Sequence, residues 1–454
     1  MFLSGELAQL VEHLLCTQGV RSSSLLFSIS KYLKEYLTIM ALEYSEVMAA
    51  AAMFYSAADL KKASDSAKEL GDWIIDAKKI AETKVEFGSS KSEFVSFMEP
   101  TPAALREATV GISAALAIKG WLKSDHGQGS DPTAEKVFLT GNVWPTEVEK
   151  FRVRAYGFDD YNSSDFIVKT GDKKYFGVSL KKKPKANSAD PTLINKAFDT
   201  VLNGNAFKEI REQITELRTE YFAGLVRQAH EDGILFIKDV ERISDKELFE
   251  AKKRDKKIFD RAYINIKGSL SGGYGNDKAP DAMRKFVNAD LSKPQNILFK
   301  RLTQYMDDHA DLFAKSLINL VLKVKLYDEL SAMRHLDEYT FGFALVTGIG
   351  EMSRGNPVVS KGKAIDLHTI LCGLTDLEAN RKPYKIDVDF IRKAEANAAK
   401  IFFKLSKAGV NILDMELRYK GSFTSQPQFF ATITKEFQTI LTEKCLVPHP
   451  DGYS

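Results

Sequence analysis

An aspartate, a serine and a lysine stand close together in the stretch SSDFIVKTGDKKYFGVSLKKKPK, residues 163–185. Asp165 precedes the apolar residues 166–168, and Ser179 and Lys181 follow a second apolar run. A carboxylate can hold a divalent cation, which polarises a phosphate ester and lowers the pKa of an attacking water. A nearby lysine can orient that water and balance phosphate charge. These residue types indicate metal-assisted phosphodiester hydrolysis, provided that their side chains meet.

A β-hairpin is the element that must bring them together. Gly171 and Asp172 separate two runs rich in β-branched and aromatic residues, which is the pattern of a tight hairpin turn. Residues two apart on a strand point to the same face, so Ser179 and Lys181 share one face of the second strand. The first strand must then present its aspartate to that same face.

The register of the hairpin decides whether it does. A two-residue turn at 171–172 pairs Thr170 with Lys173 and places Asp165 opposite Val178. A one-residue slip reverses the faces of a strand, so a shared face for Asp165 and Lys181 requires an odd loop or a β-bulge. Asp165 and Lys181 on opposite faces would rule out a joint site.

The arrangement resembles the PD-(D/E)xK nuclease superfamily over residues 147–202. Asp165 matches the first metal-binding acid, Lys181 matches the motif lysine, and residues 176–179 match the apolar strand before it. The resemblance implies a restriction-endonuclease-like core and a Mg²⁺- or Mn²⁺-dependent DNA endonuclease that acts on double-stranded DNA, with a homodimer as an open option. Mg²⁺ prefers oxygen ligands and needs only one or two carboxylates.

The chain departs from this family at Ser179, where an Asp or Glu is usual. One explanation is a second acid from upstream, since the superfamily commonly takes one from a preceding helix. The candidates are Glu147, Glu149, Asp159 and Asp160, and Glu149 is our choice for a catalytic and metal-binding role. A second explanation combines Asp165 with a backbone carbonyl near Leu180, with Ser179 bonding a metal-bound water. A third is a catalytically inactive protein that only binds nucleic acid, or a phage structural protein.

Dense lysines surround the hairpin. We expect them to contact DNA phosphates, although an exposed basic hairpin end with Asp165 as a strand cap has the same pattern. Arg418 and Lys420, in the segment 416–429, are further candidates for DNA contact, against the reading of an ordinary half-buried strand. The predicted DNA-binding lysines of the hairpin are Lys173, Lys174, Lys182, Lys183 and Lys185.

The rest of the chain predicts an α+β (mixed α/β) fold with a helical N-terminal region and a strand-rich C-terminal region. We expect helices within 41–83 and at 101–122, 191–230 and 389–408, and strands at 339–350, 364–374, 411–421 and 428–437. The polar segment 123–136 is predicted to be a linker. The predicted units are a helical region, a nuclease-like core with the hairpin, and an α+β region that completes the core sheet or contacts DNA: 40–130, 131–275 and 276–454.

Composition limits the alternatives. The net charge of +3 allows nucleic acid as a partner without requiring it. The 3 cysteines form no CxxC pair, which argues against a zinc site and for a reducing, cytoplasmic setting. No apolar run reaches the length of a membrane span.

The N-terminus carries a second resemblance. AQLVEHLL and GVRSSSLL, within residues 5–28, are similar to the translation of a transfer-RNA gene. We therefore expect residues 1–39 to be a spurious extension, with Met40 as the true start. Genes crowded against tRNAs are typical of bacteriophages and mobile elements, so a phage source, acting in the host cytoplasm, is our expectation.

Overall fold

The structure is a computed structural model. It describes residues 43–88, 98–141, 143–152, 164–188, 190–191, 193–197, 211–231, 239–254, 304–306, 308–324, 337–358, 360–389, 400–418 and 428–444. The predicted extension 1–39 lies outside these ranges, as do the upstream candidates Asp159 and Asp160 and the candidate DNA contact Lys420.

The described part of the chain has an α+β fold, as the sequence predicts. Its α-helices are α1 (Tyr44–Ala52), α2 (Ala57–Ala63), α3 (Ala67–Lys84), α4 (Pro102–His126), α5 (Arg211–Glu231), α6 (Asp245–Arg254), α7 (Ala310–Val321), α8 (Leu367–Ala379) and α9 (Lys435–Lys444). Its strands are β1 (Val85–Phe87), β2 (Lys136–Leu139), β3 (Phe166–Gly171), β4 (Lys174–Lys183), β5 (Ile194–Ala197), β6 (Thr340–Ile349), β7 (Met352–Ser353), β8 (Asn356–Pro357), β9 (Lys363–Asp366), β10 (Tyr384–Asp389), β11 (Lys400–Lys407), β12 (Val410–Arg418) and β13 (Gln428–Ile433).

Two sheets organise these strands. The first has the order β1-β2-β3-β4-β6-β9, and the second has the order β10-β11-β12-β13-β5. The predicted hairpin forms β3 and β4 at the centre of the first sheet. Strand β4 pairs in parallel with β6 along its whole length. Strands β7 and β8 form a separate two-stranded ribbon.

Helices α1, α3 and α4 cover one face of the first sheet. Alternate hairpin residues, among them Phe166, Val168 and Val178, are completely buried in the same apolar cluster as these helices. Helix α4 begins as the sequence predicts, because Thr101 caps it through a hydrogen bond from the Ala104 amide and proline occupies its first turn. This layer buries one face of the hairpin.

The predicted linker 123–136 contains the end of α4, the start of β2 and a well-anchored connection. Asp131 accepts hydrogen bonds from the Ala57 amide at 2.9 Å and from the buried Lys119 ammonium at 3.2 Å. The Ala134 amide donates to the Met53 carbonyl. The helical region and the sheet therefore belong to one hydrophobic core.

The predicted strand 364–374 is wrong beyond its start. Strand β9 ends at Asp366, whose carboxylate accepts hydrogen bonds from the amides of His368 and Thr369 and so caps α8. Apolar residues at helical spacing bury the inner side of α8, and the β-branched residues misled the prediction. These buried residues are Leu367, Ile370, Leu374 and Leu377.

Two predicted helices are also partly wrong. Residues 400–407 of the predicted helix 389–408 form β11, and residues 194–197 of the predicted helix 191–230 form β5. Both strands pair with neighbours in the second sheet, so partners distant in sequence override local propensity. The other three predicted strands in the last third are confirmed as β6, β12 and β13, the last being shorter and followed by α9.

No helix in the described part of the chain combines the length and the apolar character that a membrane crossing requires.

Candidate active site

The first strand of the hairpin contains a β-bulge at Thr170. Lys169 pairs with Tyr175 and Gly171 pairs with Lys174, so Thr170 is an extra residue in the first strand. A bulge of this kind changes the face of every residue on one side of it. The pattern of buried apolar residues thus sets the register of the hairpin. The bulge accommodates the one extra residue that the first strand has between Phe166 and the turn.

The turn itself differs from the prediction. Its two residues are Asp172 and Lys173, one position later than the predicted Gly171 and Asp172. Lys173 adopts a positive φ of 56°, which the local twist of the tight turn imposes.

Asp165 lies just before the first residue of β3. Phe166 pairs with Val178, and the amide of Asp165 donates to the Val178 carbonyl at 2.7 Å. Asp165 and Phe166 therefore both lie opposite Val178, and the ladder does not pair Asp165 with Ser179.

The carboxylate of Asp165 lies where the two strands separate. Its Oδ2 accepts a hydrogen bond from the Leu180 amide at 2.5 Å, in the position where a strand carbonyl would otherwise pair. Because this bond occupies one oxygen edge, it fixes the orientation of the carboxylate at the end of β3.

A second acid approaches from α1. Glu46 is in the first turn of this helix, is 8% exposed, and accepts a hydrogen bond from the Glu43 amide at 3.1 Å through Oε2. Burial raises the pKa of Glu46 well above its usual range, and the negative charge of Asp165 raises it further. The positive charge of Lys181 acts in the opposite direction. The charges of Asp165, just before β3, and of Lys181 on β4 thus both act on Glu46.

Sequence reasoning missed Glu46 because its distance along the chain hides the contact. One local signal was present: Glu46 is the third residue of a helix whose N-cap is Glu43, and the two form a capping box. The pattern locates a helix start, but nothing in it shows that the acid faces a hairpin far downstream.

The upstream acids chosen from the sequence have other partners. Glu149, in a 3-10 turn, is paired with Arg152 at 3.3 Å and is 46% exposed. Glu147 accepts hydrogen bonds from the Tyr175 hydroxyl at 2.9 Å and the Lys169 ammonium at 3.1 Å. The carboxylate whose charge interacts with Asp165 is that of Glu46.

Ser179 is held by a lysine. The side chain is 1% exposed, and its hydroxyl accepts a hydrogen bond from the Lys323 ammonium at 3.1 Å. Lys323 is itself 7% exposed and lies 5.2 Å from the centre of the Phe343 ring. A lysine side chain therefore stands beside the position that the resemblance assigns to a second acid.

Several predicted DNA-binding lysines have acidic partners that lie outside the basic run. Lys173 pairs with Glu338 at 2.7 Å. Lys183 pairs with Asp190, which lies 7 residues further along the chain, at 2.9 Å.

Lys182 lies between two carboxylates, those of Glu43 at 2.9 Å and Glu107 at 2.8 Å. Lys174 and Lys185 are exposed. Arg418 is the last residue of β12. The sequence could not reveal the paired acids, because none lies within the basic run itself.

The acids present match the preference of Mg²⁺ for oxygen. Within the described ranges, no group of three or more His, Cys, Asp or Glu side chains could hold a metal ion. Mg²⁺ keeps several waters and needs only one or two carboxylates. Glu46 and Asp165 are two carboxylates whose charges act on each other.

Comparison with known proteins adds no lead, since no family model, no curated protein and no solved structure matches this chain.

Proposed function

We propose that the protein is a Mg²⁺-dependent DNA endonuclease with a restriction-endonuclease-like PD-(D/E)xK site. The observation that carries the proposal is the buried carboxylate of Glu46 on α1, whose pKa the charge of Asp165 raises and the charge of Lys181 lowers. Two acids and one lysine are the residues that metal-assisted phosphodiester hydrolysis needs. In this proposal Glu46, on a preceding helix, takes the place of the acid that is missing at Ser179.

Glu46 and Asp165 would hold the metal ion. Mg²⁺, when bound, polarises the scissile phosphate and lowers the pKa of the attacking water. The Leu180 amide orients Asp165, and the Glu43 amide orients Glu46, so each carboxylate keeps its position before substrate arrives. This preorganisation limits the reorganisation that the reaction requires.

Lys181 has the second role. It follows Ser179 on the same face of β4, and its charge interacts with that of Glu46. Within the described chain it forms no ion pair, so its ammonium is available to orient the nucleophile and to stabilise negative charge on the phosphate.

A specific observation favours a second candidate, a nucleic-acid-binding protein without nuclease activity. The Lys323 ammonium lies on Ser179, where the related nucleases usually have a metal-binding acid. Two cations cannot share this position, so a metal ion would have to rely on Glu46 and Asp165.

The test is cleavage of supercoiled double-stranded DNA with Mg²⁺. We expect Asp165→Ala, Lys181→Ala and Glu46→Gln each to lower the rate by at least about a hundredfold. Glu149→Gln is the matched control, since its carboxylate pairs with Arg152, and it should cut at the wild-type rate. Loss of activity in Glu149→Gln but not in Glu46→Gln would refute the assignment of the second acid. A wild-type protein that binds but never cuts DNA would favour the second candidate.

A further inference from the structure

Beside the candidate site, a small cavity opens on the face of the first sheet that the helices α1 and α4 leave uncovered. Its floor is a row of residues across three strands, in which Lys181 pairs with Thr347 and Thr347 pairs with Lys363. Paired residues of neighbouring strands point to the same face. The two lysines of this row therefore flank one threonine, about 10 Å apart at their backbones.

Two more lysines line the cavity. Lys183 lies two residues beyond Lys181 on β4, hence on the same face, and Lys361 lies just before β9. The opposite wall comes from the segment before β5 and from α9, where Asp190 and Gln438 line the space. Four lysines and one carboxylate therefore line the cavity.

The polar groups are held in place by one another. Asp190 accepts hydrogen bonds from Lys183 at 2.9 Å and from the Gln438 amide at 2.9 Å. The Lys363 ammonium donates to the Gln438 carbonyl oxygen at 2.5 Å. This network fixes two of the lysines and leaves the cavity with an excess of positive charge.

The crowding of like charges has an electrostatic cost. Burial lowers the pKa of Lys363, Asp190 opposes the shift, and the neighbouring Lys183 ammonium adds to it. A bound anion would lower this repulsion, and an oxyanion can accept hydrogen bonds from lysine and threonine together.

We propose that this cavity binds a phosphate group of the nucleic-acid substrate, next to the phosphate that is cut. The inference rests on the proposed function, which supplies the nucleic-acid substrate. Lys181 belongs both to the candidate active site and to the cavity, so the two places lie within the reach of one side chain. The cavity holds the strand beside the scissile bond.

The experiment measures binding without cleavage, by fluorescence anisotropy of a labelled DNA duplex in EDTA over a range of salt concentrations. We expect Lys363→Ala to weaken binding on the order of tenfold and to reduce the slope of log K against log salt by about one. Lys363→Arg should restore most of both, because it keeps the charge. Lys62→Ala is the matched control, since this exposed lysine lies on α2 in the helical layer, and it should leave both quantities unchanged.

A second pair of substrates distinguishes a terminal phosphate from an internal phosphodiester as the bound group. A duplex with a 5′-phosphate that binds better than the 5′-hydroxyl duplex, in a way that Lys363→Ala abolishes, would identify a terminal phosphate. Equal binding of the two, with the same loss in Lys363→Ala, would identify an internal phosphodiester. Unchanged affinity and salt slope in Lys363→Ala would overturn the proposal.

Failure of this inference can be told apart from failure of the proposed function. If the wild-type protein never cuts DNA but its binding depends on Lys363, the phosphate site stands and the nuclease assignment fails. If Lys363→Ala binds like wild type while Asp165→Ala loses cleavage, the nuclease assignment stands and the phosphate site fails.

Discussion

At the scale of single residues, the candidate site depends on a buried acid whose negative charge destabilises the folded protein. Glu46 is nearly inaccessible, and the nearest opposing charge is that of Lys181. A folded-state pKa above the unfolded value means that the folded protein binds the proton more tightly. The associated stability is present below the unfolded pKa and is lost as pH rises through the folded pKa.

The first prediction concerns Glu46→Gln. Without metal, this variant should match the wild type near pH 4 and exceed its free energy of unfolding at pH 8 by about 2 kcal/mol, because the amide carries no charge. Saturating Mg²⁺ should reverse the order, stabilising the wild type by about 2.7 kcal/mol at a hundred times Kd and the variant hardly at all. Chemical denaturation with and without Mg²⁺ measures both. Equal Mg²⁺ stabilisation of the two proteins would contradict the metal site.

The pKa of a second residue, Asp366, is shifted in the opposite direction. Burial alone would raise its pKa, but His126, at 3.4 Å, the Trp121 indole N–H, at 2.8 Å, and the His368 amide outweigh burial and lower it. Its stability contribution is therefore present above the unfolded pKa and is lost as pH falls through the folded pKa.

We expect Asp366→Ala to lower the free energy of unfolding at pH 7 by about 2–3 kcal/mol, because α8 loses its cap and a buried indole N–H loses its acceptor. Asp366→Asn keeps a capping oxygen and should lose less. The difference in the free energy of unfolding between wild type and Asp366→Ala should become smaller as the pH falls. A gap that widens below pH 4 in urea unfolding would refute this account.

At the scale of secondary-structure elements, features that depend on local spacing could be predicted from the sequence, whereas contacts between distant elements could not. Local spacing singled out Asp165 and Lys181 as candidates, and the hairpin contains a bulge at Thr170. Glu46 could not be found in this way, because its contact depends on how α1 packs on the sheet. For the same reason the capped helix α4 was predictable, whereas β11 and β5 depend on distant partners.

Deletion of Thr170 tests how the register is set. Without this extra residue the two strands have equal counts between the turn and Phe166, so Phe166 keeps Val178 as its partner and the buried faces stay unchanged. We expect cleavage within about threefold of wild type and a change in the free energy of unfolding of about 1 kcal/mol. Insertion of one glycine between Asp165 and Phe166 is the contrasting variant and should abolish cleavage. Loss of activity in the deletion variant alone would show that the bulge itself is required.

At the scale of the whole molecule, the hairpin and the N-terminal helices cannot be separated. Phe166, Val168 and Val178 lie in one cluster with buried residues of α1, α3 and α4. A domain boundary near residue 130, as predicted from the polar segment, would leave this face of the sheet in water, at roughly 25 cal/mol for each Å² of apolar surface.

A chain that begins at residue 131 should therefore show no cooperative thermal transition, while a chain that begins at Met40 should unfold cooperatively, because α1 begins at Tyr44. Circular dichroism during heating compares the two. A cooperative transition in the shorter chain would show that the sheet forms a core without the helices.

The capping box at the start of α1 has one more consequence. The same carboxylate that closes the first helical turn through the Glu43 amide is the acid that faces Asp165. Helix ends open more readily than helix centres, so the site would come apart by local unfolding well before the core melts. On warming, hydrogen exchange at the first amides of α1 should speed up over the same temperature range in which cleavage activity is lost. The temperature dependence of catalysis would then report the opening of the first turn of α1.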